Sequence, residues 1–227
     1  MDGSRGRIGV IYPSDGVLDG EFWRCVPPGV SVHVTRSLSS MDLDPDLGVS
    51  ERHVLMAEST DIDDAAKRFS LIGVGCVAYA CTAAAFGRGV GYDTEIVRRI
   101  EAALRHMSVE RVAVAAPYED VTCERLRQFL EDSEFEVVNL ENLGLSGTAI
   151  GAVSSDQVYA LCRRAMTPDA DGLFISCTGF PAIELIEALE QDLGVPVVNS
   201  NQATMWYALR IAGIQASMEG LGRLYRM

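Results

Sequence analysis

The sequence predicts an α/β protein made of two similar halves, each with a parallel sheet covered by helices. Short apolar segments rich in valine and isoleucine alternate with helical patterns along the whole chain. Such alternation is typical of parallel sheets that are covered on both faces. Two pairs of segments also resemble each other across the chain, which favours two copies of one unit over a single long sheet.

Seven segments are predicted as strands, because each is a short run rich in β-branched residues and is bounded by turn-forming residues. In chain order they are 7–13, 30–35, 73–81, 111–117, 136–140, 173–177 and 196–199. Two helices between them are the clearest. Residues 94–107 repeat apolar side chains at helical spacing, and residues 181–193 begin with Pro181 in the first turn and stop at Gly194.

The internal repeat lies in the segments around the first strand of each half and around one cysteine of each half. The matching pairs are RIGVIYPSD at Arg7 with RVAVAAPYED at Arg111, and AYACTAAAFG at Ala78 with FISCTGFPAI at Phe174. We expect residues 1–110 and 205–227 to form the first α/β domain and residues 111–204 the second.

Composition and charge restrict the partners. The chain has 227 residues, 48% of them hydrophobic, and a net charge of −13 with one lysine, Lys67. No basic stripe could follow a phosphate backbone, so we expect no nucleic-acid partner. No apolar run reaches the ~20 residues that span a bilayer, and the first residues lack a secretory signal, so we expect a cytoplasmic protein without membrane contact and with reduced cysteines.

The ligand site is predicted at the turns that follow strands, because ligands of open parallel sheets lie at the carboxyl ends of the strands. Four turns qualify, at residues 13–15, 81–83, 117–119 and 177–179. Each precedes a predicted helix, whose free N–H groups and dipole favour a carboxylate. The excess of acidic residues would repel an anion at long range, so backbone N–H groups, hydroxyls or an arginine must hold it locally.

Two of the six cysteines are candidates for catalysis. Most cysteines are small core residues, and we interpret Cys25, Cys76, Cys123 and Cys162 in this way. Cys81 and Cys177 differ, because each ends a predicted strand, precedes threonine and occupies the equivalent place in its half. If the halves face each other, the two thiols converge across a cleft.

A thiol at a helix N-terminus is expected to have a lowered pKa and to act as nucleophile or base, while the opposing thiol serves as acid. Such a pair suits chemistry at the carbon next to a carboxylate, because hydrogen-bond donors can stabilise the charge that develops there. The hydroxyls in the predicted turns are the natural donors: Ser14, Thr82, Tyr118 and Thr178.

Other signals are weaker. The histidines, His33, His53 and His106, have no metal-ligand spacing, so we expect no metal and interpret them as structural or exposed. Arg36 could bind a carboxylate or cap a helix. The glycine-rich segment 86–91 lacks the spacing of a phosphate loop and is predicted to form a mobile loop over the cleft.

The motifs around the two cysteines resemble a known family. YACTAAAFGRG around Cys81 and FISCTGFPAIELIEALEQDLGVPVVNSNQATMWYALRIAG around Cys177 are similar to the aspartate/glutamate racemase superfamily, in the branch of maleate cis-trans isomerases and arylmalonate decarboxylases. The resemblance implies two flavodoxin-like domains related by a pseudo-two-fold axis, an active site in the cleft between them, no cofactor and a homo-oligomer.

The number of cysteines kept at these two positions differs between the branches of the family. Decarboxylases of this type keep only the second cysteine, whereas racemases and maleate isomerases keep both. In the isomerases the first cysteine adds to the double bond, giving an enediolate-like intermediate that rotates before elimination. Carried over, Cys81 is the nucleophile, Cys177 transfers a proton or stabilises the adduct, and Tyr118 binds a substrate carboxylate.

Three positions depart from the family pattern. An asparagine of the first turn is Asp15 here, the serine after the first Cys-Thr is Ala83, and an asparagine near the segment 147–151 has no counterpart. These departures bear on the identity of the substrate more than on the two-thiol chemistry.

The sequence thus predicts a cofactor-independent isomerase of a small mono- or dicarboxylate, with maleate to fumarate as the preferred reaction. A racemase of an amino acid or related acid is the alternative, ahead of a malonate decarboxylase and a non-catalytic binding module. The predicted catalytic residues are Cys81 and Cys177, and the predicted substrate-binding residues are Pro13, Ser14, Asp15, Thr82, Ala83, Tyr118, Thr178 and Gly179.

Overall fold

The computed structural model describes residues 3–85 and 94–226, and side chains are described there except for residues 50 and 94–98. Two parallel sheets form the fold, as predicted. The first has the strand order β2-β1-β3, and the second has the order β5-β4-β6-β7. The strands are β1 (Gly6–Pro13), β2 (Val30–Ser37), β3 (Cys76–Tyr79), β4 (Arg111–Tyr118), β5 (Glu136–Leu145), β6 (Gly172–Ile175) and β7 (Val197–Asn199).

Nine α-helices lie in the described part of the chain. They are α1 (Asp19–Arg24), α2 (Val49–Ala57), α3 (Thr60–Ser70), α4 (Thr82–Ala85), α5 (Thr94–His106), α6 (Asp120–Asp132), α7 (Ser155–Ala165), α8 (Ile186–Leu193) and α9 (Ser200–Ile211). Three short 3-10 helices accompany them, at Gly147–Ala152, Ile183–Leu185 and Arg223–Tyr225.

Each predicted strand overlaps an observed one, but two predicted boundaries are wrong in a way that concerns the cysteines. β3 begins at Cys76 and ends at Tyr79, after a turn in which Gly73 has φ +62°. β6 ends at Ile175. Cys81 and Cys177 therefore lie two residues beyond their strands, in the turns, and not at the strand ends.

The helix predicted over residues 181–193 is divided. Pro181 precedes the 3-10 helix Ile183–Leu185, and α8 starts only at Ile186. The predicted stop is confirmed, since Gly194 adopts the left-handed conformation, with φ +76°, that glycine tolerates without steric cost.

The two halves repeat the same strand order about their central strands, β1 and β4. One buried apolar cluster contains core residues of both, from Ile8 and Val10 to Val112 and Leu126. Helix α9 follows β7 but packs against β3 and α5, so the predicted domain boundary at residue 204 falls inside a helix. The domain boundaries stay a prediction. No helix among the described residues has the length and apolarity needed to cross a membrane.

Candidate active site

A cavity of about 320 Å³ lies between the two sheets, and both Cys81 and Cys177 line it. It takes residues from the turns after β1, β3, β4 and β6, where parallel sheets place their ligands. Of the residues predicted for the site, only Ser14 and Thr82 are absent from its lining, which contains Pro13, Asp15, Cys81, Ala83, Tyr118, Cys177, Thr178 and Gly179.

The turn at Cys177 is built differently from the prediction. No helix begins there, because Pro181 follows and the next regular structure starts at Ile183. Cys177 has φ +91°, a backbone conformation that non-glycine residues rarely adopt. Its Sγ accepts the N–H of Gly179 at 3.3 Å, and its own N–H donates to Ser200 Oγ at 3.1 Å. A strained turn, rather than a helix N-terminus, therefore directs this thiol into the cavity.

The two halves are held together at this turn by hydrogen bonds. Tyr12 Oη donates to the carbonyl of Thr178 at 2.9 Å, and Asn201 Nδ2 donates to the same carbonyl at 3.0 Å. Thr178 Oγ1 in turn donates to the carbonyl of Ala80 at 2.9 Å. Because Ala80 immediately precedes Cys81, this chain of contacts fixes the position of one thiol-bearing turn against the other.

Burial raises the pKa of Cys81 to about 11. The charge of Asp15 raises it further, whereas the N–H of Ala84, the guanidinium of Arg99 and the hydroxyl of Tyr79 act in the opposite direction. Arg99 is itself buried, and its Nη1 donates to the carbonyl of Tyr79 at 2.7 Å. Helix α4 beyond Cys81 has only one turn, so it offers little dipole.

Burial also raises the pKa of Cys177, to about 12. The N–H of Gly179 and the hydroxyl of Tyr118 lower it, whereas Cys81 and Asp15 raise it through their charges. The sequence-based expectation of a lowered thiol pKa is therefore wrong, because desolvation outweighs the few donors at each sulfur. Both thiols are protonated at neutral pH, and ionisation of one opposes ionisation of the other.

These pKa shifts predict slow alkylation in the absence of ligand. At pH 8 a thiol with a pKa near 11 is roughly 0.1% thiolate, compared with roughly a quarter for free cysteine. We expect iodoacetamide to label Cys81 and Cys177 at least about a hundredfold more slowly than free cysteine. The rate should still rise about tenfold per unit between pH 8 and 10, where free cysteine levels off. Peptide mass spectrometry follows each thiol, and labelling that is fast and independent of pH from 7 to 9 would contradict the raised values.

The hydroxyl groups near the cavity differ in whether their protons are already used in hydrogen bonds within the protein. Ser14 Oγ donates to Asp42 and lies on the surface, and the proton of Thr178 is engaged by Ala80. Thr82 Oγ1 is buried and has no hydrogen-bond partner among the described residues. Tyr118 Oη accepts from Ser176 Oγ at 3.3 Å and lies beside Cys177. Of these four residues only Tyr118 and Thr178 line the cavity, and the proton of Thr178 is already donated, so Tyr118 is the hydroxyl best placed to meet a carboxylate.

Asp15 faces the thiols from the turn after β1. Burial raises its pKa, as does the charge of Asp42, whereas Arg36 lowers it. Arg36 itself forms an ion pair with Asp19 at 2.7 Å and stacks over the ring of Tyr12. Arg36 does not line the cavity. Its position therefore does not support the hypothesis that it binds a carboxylate there.

One wall of the cavity is formed by α2, a helix that the sequence analysis did not identify. Val49, Arg52, His53 and Met56 line the cavity from one face of this helix. Their spacing of three, four and seven residues is that of a helical face, and this signal could have found them. His53 is therefore a cavity residue, whereas His106 packs on Trp206 and His33 contacts Ser31.

At the rim of the cavity, two glycines of the second half lie close to side chains of the first half. A Cβ at Gly151 would lie 2.5 Å from Val17 Cγ2, and one at Gly147 would lie 2.7 Å from Met41 Sδ. At Gly147, where φ is +56°, a side chain would also strain the backbone, and at Gly151 the side chain of Val17 would have to shift. The predicted glycine-rich loop 86–91 lies outside the described residues. Within the described ranges, no group of three or more His, Cys, Asp or Glu side chains is arranged to hold a metal ion.

Comparison with known proteins gives the sequence a family. Residues 55–225 match the family described as arylmalonate decarboxylase. An arylmalonate decarboxylase of Bordetella bronchiseptica is 33% identical over 181 residues, which cover 71% of this chain and 75% of that protein. A maleate isomerase of Nocardia farcinica is 30% identical over 125 residues, which cover 54% of this chain and 50% of the relative.

Solved structures agree in fold. A liganded arylmalonate decarboxylase with one glycine-to-cysteine and one cysteine-to-serine replacement has a TM-score of 0.84 at 29% identity, over 97% of this chain and 98% of that chain. A mutant maleate cis-trans isomerase of Nocardia farcinica, with a covalently bound succinylcysteine intermediate, has a TM-score of 0.82 at 22% identity over the same shares. The chain therefore belongs to the arylmalonate decarboxylase family, in the branch of aspartate/glutamate racemase-like proteins that also contains maleate isomerases.

Proposed function

We propose that the protein is a two-thiol isomerase of a small unsaturated carboxylic acid and that it converts maleate to fumarate. The observation that carries this proposal is the presence of Cys81 and Cys177 in one cavity between the halves. Its relatives include maleate isomerases, and the succinylcysteine intermediate of one isomerase supports a cysteine adduct as the central species.

In the proposed reaction Cys81 first releases its proton to solvent, and the thiolate then adds to one carbon of the double bond. The electron pair of the π bond moves toward the neighbouring carboxylate and gives an enediolate-like anion. The former double bond is now a single bond, about which the chain rotates. The electron pair then returns, the C–S bond breaks, and fumarate leaves with Cys81 again a thiolate.

The environment of the thiols supports this division of roles. Cys81 is the thiol whose pKa a guanidinium, that of Arg99, helps to lower, whereas the pKa of Cys177 is raised by the charge of Cys81. When Cys81 ionises, Cys177 is therefore kept protonated. A protonated Cys177 can donate a hydrogen bond or a proton to the adduct.

The negative charge that develops on the substrate carboxylate needs donors. Tyr118 lines the cavity, and its hydroxyl lies beside Cys177. Tyr118 Oη is the proposed contact of this carboxylate. Donors held in place before the reaction stabilise such an anion without reorganisation.

Decarboxylation of a substituted malonate is the second candidate, and the family match over residues 55–225 favours it. Cys81 argues against it, because the resemblance implies that decarboxylases of this type keep only the second cysteine. Racemisation of an amino acid or related acid would also use both thiols.

The test is an assay in deuterated water, without added metal and with a chelator, followed by proton NMR. We expect maleate to become fumarate, and addition and elimination do not require deuterium in the product. Wash-in of deuterium at the α-carbon of an amino acid would indicate a racemase. Release of carbon dioxide from phenylmalonate, without conversion of maleate, would overturn the isomerase proposal in favour of decarboxylation.

A further inference from the structure

The cationic side chain of Arg52 enters the cavity from α2, on the helix face that also carries Val49, His53 and Met56. Helix α2 packs against α4 and α6, so it covers the space between the elements that follow Cys81 and Tyr118. Arg52 thus belongs to the cover of the cavity, while the thiols belong to its floor.

The guanidinium of Arg52 is incompletely satisfied by the protein. Its Nη1 donates to the carbonyl of Ser40 at 3.2 Å, whereas its Nε is buried and has no hydrogen-bond partner among the described residues. No carboxylate in the described part of the chain forms an ion pair with Arg52. Because Arg52 lines the cavity and has no carboxylate partner in the described part of the chain, its guanidinium can bind an anion that enters the cavity.

The cavity around Arg52 holds apolar side chains and also two carboxylates, Asp15 and Glu119, so an anion there needs the charge of Arg52. Apolar side chains share its wall, Met41, Val49 and Met56 among them, and a charge pair is stronger where water is displaced. The neighbouring His53 is partly buried, and this desolvation together with the charges of Arg125 and Arg52 lowers its pKa to about 4. His53 is neutral at pH 7 and therefore does not supply a second cation.

We propose that Arg52 binds a second anionic group of the substrate, so that the site selects dianionic acids over monocarboxylates. This inference rests on the proposed function, in which the first carboxylate lies at the thiols beside Tyr118. A guanidinium presents two parallel donors to a carboxylate. In a chain with a net charge of −13, such a local cation also offsets the long-range repulsion of a dianion.

The experiment compares succinate with butyrate, which have four carbons each and differ by one carboxylate. Neither has the double bond that isomerisation requires, so binding is measured apart from turnover. Dissociation constants are obtained by isothermal titration calorimetry at pH 7.5 and fixed ionic strength. The wild-type protein should bind succinate at least about tenfold more tightly than butyrate, the factor expected for one charge-assisted pair.

The variant Arg52→Gln should bind succinate as weakly as butyrate while its affinity for butyrate is unchanged. Arg52→Lys should keep part of the preference, because it retains the charge and loses the paired donors. Arg68→Gln is the control, since Arg68 is an exposed arginine of the neighbouring α3 and its loss should not alter the ratio.

Equal affinity of the wild-type protein for succinate and butyrate would overturn the inference, even if Arg52→Gln failed to fold. Equal weakening of both ligands in Arg52→Gln would also overturn it, because the residue would then act on the whole site. If the succinate preference depends on Arg52 but maleate is not converted, the proposed isomerase function fails and the dianion site stands. If maleate is converted and Arg52→Gln keeps the preference, only the dianion site fails.

Discussion

Replacing Cys177 by serine is expected to lower kcat for maleate isomerisation by about 10²- to 10⁴-fold, because loss of a positioned proton donor costs factors of this order. The change is conservative in space: a serine Oγ can still accept the N–H of Gly179, which donates to Cys177 Sγ at 3.3 Å. The hydroxyl, however, is a far weaker acid than the thiol. Steady-state kinetics followed by the ultraviolet absorbance of maleate and fumarate measure the loss.

A structural explanation of this loss can be excluded by two further measurements on the Cys177→Ser variant. Its thermal unfolding should stay close to that of the wild-type protein, and its dissociation constant for succinate should change by less than about threefold. Retention of more than a tenth of the wild-type kcat would contradict a direct role of Cys177.

Replacing Cys81 by alanine is expected to abolish isomerisation, with a loss of at least about 10⁴-fold, because no other group in the proposed mechanism can form the adduct. Incubation of the wild-type protein with maleate followed by acid quench should give a mass increase on the peptide that contains Cys81. The Cys81→Ala variant should show no such increase.

The matched control is Cys76→Ala, which removes a partly buried thiol of β3 five residues upstream and outside the cavity. This variant should keep wild-type activity toward maleate. If the wild-type protein and Cys81→Ala decarboxylate phenylmalonate equally and neither converts maleate, decarboxylation is the reaction that the second cysteine alone supports, and the isomerase assignment is wrong.

The fold was predictable from the sequence because its strands are strongly marked. β1, β4 and β6 are runs of apolar, mostly buried residues, and such runs separated by helical patterns leave few topologies. The equivalent positions of Cys81 and Cys177 followed from the repeat of the half-chains. The local sequence pattern was therefore sufficient to predict the fold and the equivalence of the two cysteines.

The remaining features of the site depend on tertiary structure. The pKa values of both thiols follow burial, which no local pattern provides. Arg52 and His53 lie in a polar stretch of mixed sequence, and only the packing of α2 over the cavity brings them near the thiols. The turn at Cys177 was also predicted wrongly. Cys-Thr-Gly after a strand favours the start of a helix, but Pro181 follows and the next regular structure begins only at Ile183.

The left-handed backbone of Cys177 has a consequence for the history of the protein. Holding a residue with a Cβ at φ +91° costs on the order of 1–3 kcal/mol, whereas glycine adopts this conformation freely. The residue assigned to proton transfer is thus one that the fold would be more stable without. Selection or redesign for thermostability alone is expected to discard Cys177 early, so its persistence in any lineage is a sign that chemistry is still being selected.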